Sequence, residues 1–146
     1  GMYISGERDD HVMESIREVV EKWGGNFSIV YTESPMHLIR SWQGTTVHLT
    51  MYGIPIQEKI EEIRSLDNLL LIVGGAKVRP EVYEHSDHNI AVTSQPHSEI
   101  AALAIFLHEY FQGKELYLDF NGKLKIIPRE RGKQVIENGE NVSSTG

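Results

Sequence analysis

The sequence predicts an α/β fold: a mostly parallel sheet flanked by helices. Two observations carry this. Short runs rich in β-branched and aromatic residues alternate with stretches of helical periodicity. One run, "NLLLIVGG" (Asn68–Gly75), is apolar almost throughout, the pattern of a strand covered on both faces of a parallel sheet.

Taken in order, "MYIS" and "FSIVY" read as short strands. Between them, "DDHVMESIREVVEKW" places Val12, Ile16, Val19, Val20 and Trp23 at helical spacing, with Asp9 or Asp10 as N-cap. Gly24 and Gly25 stop that helix. "SPMHLIRSW" predicts a short helix with Pro35 in its first turn. "TTVHLTM" is the next strand, and Pro55 opens a helix through "PIQEKIEEIRSL". After the apolar strand come a short helix at "RPEVYEH", a strand at "HNIAV" and a long helix from Ile100. "LYLDF" and "KLKIIP" predict a hairpin across Asn121–Gly122. Residues 1–137 read as one domain, and the tail 138–146 as flexible.

Composition narrows the function classes. The chain has 146 residues, a net charge of −7 and no cysteine, which excludes disulfides and thiolate metal sites. No apolar run reaches the ~18 residues a membrane span needs, so a cytoplasmic location is expected. The acidic balance disfavours a general nucleic-acid binder, yet Lys114, Lys123, Lys125, Arg129, Arg131 and Lys133 face only Glu115, Asp119 and Glu130 within one stretch. No dinucleotide fingerprint, Walker A sequence, nucleophile elbow or zincin motif occurs, and His85, His88 and His97 fit no zinc spacing.

Three loops at the C-terminal ends of three predicted strands remain: "LTMYG", "GGAKVRP" and "TSQPHSE". Open parallel sheets bind ligands beyond those ends. Gly53, Gly74, Gly75 and Ala76 would let a ligand approach the backbone, whose polar groups can read an adenine edge. Behind the last loop, Ile100–Leu107 is apolar at every position, a helix without a solvent face. One side covers the sheet and the other is expected to meet a second subunit, giving a homodimer through Ile100–Phe111.

"VHLTMYG", "VGGAKVRPEVYE", "QPHSEIAALAIFL" and "IIPRERGK" resemble the archaeal tRNA 2′-O-methyltransferases that modify cytidine 56, members of the SPOUT superfamily. The resemblance implies a C-terminal trefoil knot, a homodimer, tRNA as partner and S-adenosylmethionine as cofactor, with no metal. Its cofactor contacts fall on Leu49, on Gly74, Gly75, Ala76, Lys77 and Val78, and on Val92, Thr93, Ser94, Gln95, Pro96, His97, Ser98 and Glu99. Ala76 departs from the family pattern, which carries Glu there. The resemblance also implies a further strand, arginine-rich loop and helix ahead of "MYIS"; those arginines would otherwise serve the reacting hydroxyl.

Among the residues present, His97 and Glu99 are the candidates for positioning or proton acceptance. The competing structural roles are an N-cap for Ser98 and a helix-dipole partner for Glu99. Lys77, Arg79, Arg129, Arg131 and Lys133 are the expected tRNA contacts, against a plain solvated face. The alternatives in function are a base methyltransferase of the same superfamily acting on another RNA, and a non-catalytic RNA-binding or dimerisation module.

Overall fold

A computed structural model describes residues 1–75 and 77–139. Ala76 and residues 140–146, most of the expected flexible tail, lie outside the described residues. The chain forms two compact units, one of residues 1–33 with 119 onward, the other of residues 34–118.

The first unit pairs β1 (Met2–Ile4) with β2 (Ile29–Tyr31) in parallel, the chain crossing between them through α1 (Asp10–Trp23). Asp9 caps α1 as expected, accepting the amides of His11 (3.0 Å) and Val12 (3.2 Å). The helix ends at Gly24, whose positive φ suits a residue without Cβ. Downstream, β6 (Leu124–Ile126) pairs antiparallel with β7 (Val135–Glu137). The hairpin therefore forms one strand later than the sequence predicts. Instead of opening a tight turn, Asn121 bridges Gly24, and a Cβ on Gly122 would overlap the Trp23 carbonyl. That close approach to the end of α1 takes the backbone a turn would have used. Asn138 is held too, its amide donating to the Lys123 carbonyl at 2.6 Å.

The second unit carries the parallel sheet. Its strands are β3 (Thr45–Pro55), β4 (Leu69–Val73) and β5 (His88–Ala91), in the order β4-β3-β5. Helices α2 (Pro35–Ser41), α3 (Ile56–Arg64), α4 (Pro80–His85) and α5 (Glu99–Phe111) fall where the sequence predicts them, followed by a 3₁₀ turn at Lys114–Tyr117 in place of the "LYLDF" strand. Central β3 is buried on both faces: adjacent residues Val47 and His48 are each 0% exposed. One face is apolar, with Val47, Leu49 and Ile90 packed against Ile56, Ile60 and Ile63 of α3 and Phe106 of α5. Arg64 ties the two helices by donating to the Glu109 carbonyl (2.8 Å) and carboxylate (3.3 Å).

The other face is polar and hydrogen-bonded, as burial of polar groups demands. The Thr46 amide and hydroxyl donate to Asp87 Oδ2 at 2.8 and 3.0 Å, and Thr46 Oγ1 accepts the Asp87 amide at 2.9 Å. Asn89 Nδ2 donates to the Tyr83 carbonyl (3.0 Å), so its Oδ1 is the acceptor opposite His48 Nδ1 (2.9 Å). His48 is therefore the Nδ1–H tautomer. Its buried Nε2 has no partner among the described residues, and the ring meets Tyr83 edge-on at 4.7 Å.

Burial pushes the His48 pKa below its ordinary 6.5, the Asn89 bond opposing the shift. A histidine depressed in the folded state stabilises the protein above the unfolded pKa and loses that contribution as pH falls through the folded value. Thermal or denaturant unfolding should therefore show stability falling from about pH 6.5 downward, by at most about 1.4 kcal/mol per pH unit for this one proton. His48→Gln should flatten that slope; an unchanged slope would remove His48 from the account.

Candidate cofactor and RNA-binding sites

The site at the sheet edge follows from where β3, β4 and β5 end. Leu49 pairs with both Val73, the last residue of β4, and Ile90 of β5. Beyond Leu49 the strand bulges: residues 50–53 loop out, and pairing resumes with Ile54 again opposite Ile90. Gly53 closes the bulge, where a Cβ would overlap the Asn89 carbonyl. Only glycine permits this approach of the two backbones.

Most predicted cofactor contacts lie along this edge. Leu49 is buried in the core, so it can offer a ligand only its backbone. Gly74 and Gly75 follow β4; a Cβ on Gly74 would overlap the Val78 side chain, while one on Gly75 would meet nothing within 4 Å. Ala76 is outside the described residues. Lys77 is exposed and Val78 half-buried. Val92 packs against the core, and everything from Thr93 to Glu99 is exposed.

The last loop is organised by its own side chains. Thr93 Oγ1 accepts the Gln95 amide at 3.2 Å. The Gln95 carbonyl lies 2.6 Å from His97 Nδ1, and since a carbonyl only accepts, Nδ1 carries the proton and Nε2 presents its lone pair to solvent. Ser98 is the N-cap of α5, accepting the Ala101 amide at 3.1 Å, the structural role weighed for it above. Glu99 is the first residue of the helix, where its charge complements the helix dipole.

These residues suit a nucleoside cofactor. Between Thr93 and His97 the hydrogen bonds are local, Thr93 Oγ1 taking the Gln95 amide and the Gln95 carbonyl taking His97 Nδ1–H. The glycine at position 75 adds open space beside the end of β4. Among the described residues no group of three histidines, cysteines or carboxylates could hold a metal.

The predicted RNA contacts divide between the units. Lys77 and Arg79 belong to the second; Arg79 is paired with Glu81 at 3.2 Å. Glu81 is held below the ordinary carboxylate range, first by its own backbone amide and then by Arg79 and Arg40. Arg129, Arg131 and Lys133 belong to the first unit, in the β6–β7 connection. Their neighbours Lys123 and Lys125 are neutralised by Glu21 (2.8 Å) and Asp119 (3.3 Å). Arg129 Nε donates to Gln134 at 2.7 Å, and among the described residues no ion pair joins Arg129, Arg131 or Lys133.

Sequence reasoning missed the polar brace beneath the bulge. Thr50 Oγ1 lies 3.0 Å from the Tyr83 hydroxyl and accepts the Tyr52 amide at 3.3 Å. The available signal was His48 itself, a titratable residue inside the otherwise apolar "VHL" of a central strand.

A parallel sheet flanked by helices, with loops gathered at its C-terminal edge, defines an α/β domain of the class that binds ligands at that edge. The chain belongs to the tRNA ribose 2′-O-methyltransferase family aTrm56, whose family model matches residues 23–136. It is 47% identical over 139 residues to the tRNA (cytidine(56)-2′-O)-methyltransferase of Methanopyrus kandleri, covering 92% of this chain and 78% of that protein. The enzyme of the same name from Ignicoccus hospitalis is 49% identical over 94% of this chain and 64% of its own length. That of Methanocaldococcus jannaschii is 50% identical over 91% and 78%. No helix among the described residues is long and apolar enough to cross a membrane.

Proposed function

We propose that this chain methylates the 2′-hydroxyl of cytidine 56 in tRNA, with S-adenosylmethionine as donor. The family match over residues 23–136 carries the reading, and the parallel sheet supports it, because such sheets bind ligands beyond their C-terminal strand ends. In this reading the C-terminal loops thread a trefoil knot, and the protein works in the cytoplasm beside its substrate.

When bound, the cofactor supplies a methyl group on a positively charged sulfur, open to in-line attack. Gly74, Gly75, Lys77 and Val78, with Val92–Glu99 and the Leu49 backbone, would hold it. Alignment of hydroxyl, methyl and sulfur supplies much of the rate. His97 removes the remaining proton: with Nδ1–H spent on the Gln95 carbonyl, Nε2 accepts the proton that leaves the ribose hydroxyl. Glu99 shares that loop end and is the second candidate acceptor. Arg129, Arg131 and Lys133 contact tRNA phosphates, joined by Lys77 and Arg79.

Two copies of the chain associate through α5 in this reading. The sequence predicts a helix with no solvent face, yet within one chain only Ala102 and Phe106 are buried. Ile100 is 80% exposed, and Ile105 and Phe111 are close to half exposed. Exposed apolar side chains of that kind are what a second copy would cover.

Four measurements test this. The wild-type protein should label a tRNA transcript with a single methyl at cytidine 56, identified by nucleoside digestion, and none when that nucleotide is 2′-deoxy. His97→Ala should lower kcat by about 100- to 10,000-fold; normal turnover would sink the proton-acceptor role. Neutralising Arg129, Arg131 and Lys133 together should weaken tRNA binding and reduce the slope of log affinity against log salt by about 2 to 3. An unchanged slope would make them a solvated face. Sedimentation at micromolar concentration should give twice the 16.6 kDa chain mass, and a monomer would count against the α5 interface.

A further inference from the structure

We propose that the Thr50–Gly53 bulge is a nucleobase-stacking platform, in which Tyr52 offers its ring to a base held at the sheet edge and Tyr83 braces the bulge through Thr50. The inference rests on the methyltransferase reading for the identity of its ligands, and it adds a side-chain role for Tyr52 within the "LTMYG" loop, where only the Leu49 backbone and Gly53 were assigned above.

Position comes first. The bulge starts directly after Leu49, opposite the last residue of β4, so it rises from the edge where the cofactor loops begin. Tyr52 is 79% exposed, in a strand whose residues 46–49 are all buried. Its ring therefore does nothing for the core.

Support comes second. A loop of four residues in free solution would be mobile, and ordering it on a ligand would weaken binding. This one is ordered beforehand. The Tyr52 amide is held by Thr50 Oγ1, Thr50 by the Tyr83 hydroxyl, the Tyr83 carbonyl by Asn89, and Asn89 by buried His48. On the far side, Gly53 is locked against the Asn89 backbone. The same chain of contacts includes the buried His48 Nε2, which has no hydrogen-bond partner among the described residues. A rigidly presented, solvent-facing aromatic ring beside a nucleoside site has the chemistry to stack on a base, an interaction every base can make through its π-face.

The base has two sources, the adenine of S-adenosylmethionine or a nucleotide of the tRNA, and they separate by which constant moves. In the full chain, Tyr52→Ala should weaken one of these two affinities by about 10- to 100-fold. Titration with S-adenosylmethionine reads the first source, and tRNA binding without cofactor reads the second. Tyr52→Phe should restore wild-type affinity to within about twofold, because the ring and not the hydroxyl stacks. The thermal midpoint of Tyr52→Ala should stay at the wild-type value, since the ring is exposed. Tyr83→Phe, which keeps the ring and removes the brace, should weaken the same constant by a smaller factor. Wild-type affinity of Tyr52→Ala for both ligands would overturn the proposal. So would a loss that accompanies a fall in sedimenting mass, which would assign Tyr52 to a subunit contact. Both readouts are binding constants, so a wild-type protein that binds but methylates elsewhere would refute the cytidine-56 reading and leave this test intact.

Discussion

The second unit depends on a single strand being buried on both sides. β3 cannot satisfy both faces in the same way, because alternate side chains point in opposite directions. Val47 and Leu49 go to the aliphatic layer of α3 and α5, where burial alone is favourable. Thr46 and His48 go to the side of Asp87, Asn89 and Tyr83, where every donor must find an acceptor. The polar side fixes register more strictly than the apolar one. A slip of one residue would place His48 among isoleucines and Val47 against Asn89. With the register fixed, the three strand ends are fixed, and the loops that follow them share one edge.

How much of this was legible depends on whether the signal was local. α1 was readable because Val12, Ile16 and Val19 repeat at helical spacing behind a capping Asp9, and both features act within a few residues. β4 was readable from its unbroken Leu-Leu-Leu-Ile-Val run. The hairpin at Asn121–Gly122 was misread for the opposite reason. Its dipeptide is the local signature of a tight turn, but Gly122 is there to let the backbone pass the end of α1, a contact set by residues about a hundred positions earlier. Tertiary packing overrode turn chemistry. The α5 reading was partly right: Phe106 is wholly buried, whereas Ile100 stands in solvent within one chain, a distinction that eight consecutive apolar residues cannot encode.

The site divides the same way. Ser98 as a cap and Glu99 in the first turn follow from short-range rules, and the geometry agrees with them. The tautomer of His97 required coordinates, because it rests on a carbonyl two residues away folding back onto the ring. Arg129, Arg131 and Lys133 of "PRERGK" were singled out from the sequence, and the coordinates add how their basic neighbours are paired. Lys123 and Lys125, from the same basic stretch, are paired with Glu21 and Asp119, which charge counting along the sequence does not reveal. The bulge was the least legible. "LTMYG" announces a glycine turn, but not that the residue before the glycine would be lifted clear of a buried strand.

The division of the chain also bears on how it is made. The first unit is assembled from residues 1–33 and 119 onward, with the whole second unit inserted between them. During synthesis α1 and β2 emerge long before β6 and β7, and closing so long an unstructured loop carries a large entropic penalty. Folding of the inserted unit first would shorten that loop to the distance between its own ends. Yet this unit cannot hurry either, since the hydrogen bonds that lock β3 bridge 33 to 41 positions along the chain. Until β5 leaves the ribosome, "TVHLTMYGI" is an apolar segment with its β5-side edge unpaired even after β4 has docked, open to pairing with another nascent chain. The strand that organises the folded protein is thus also its main exposure to misassembly.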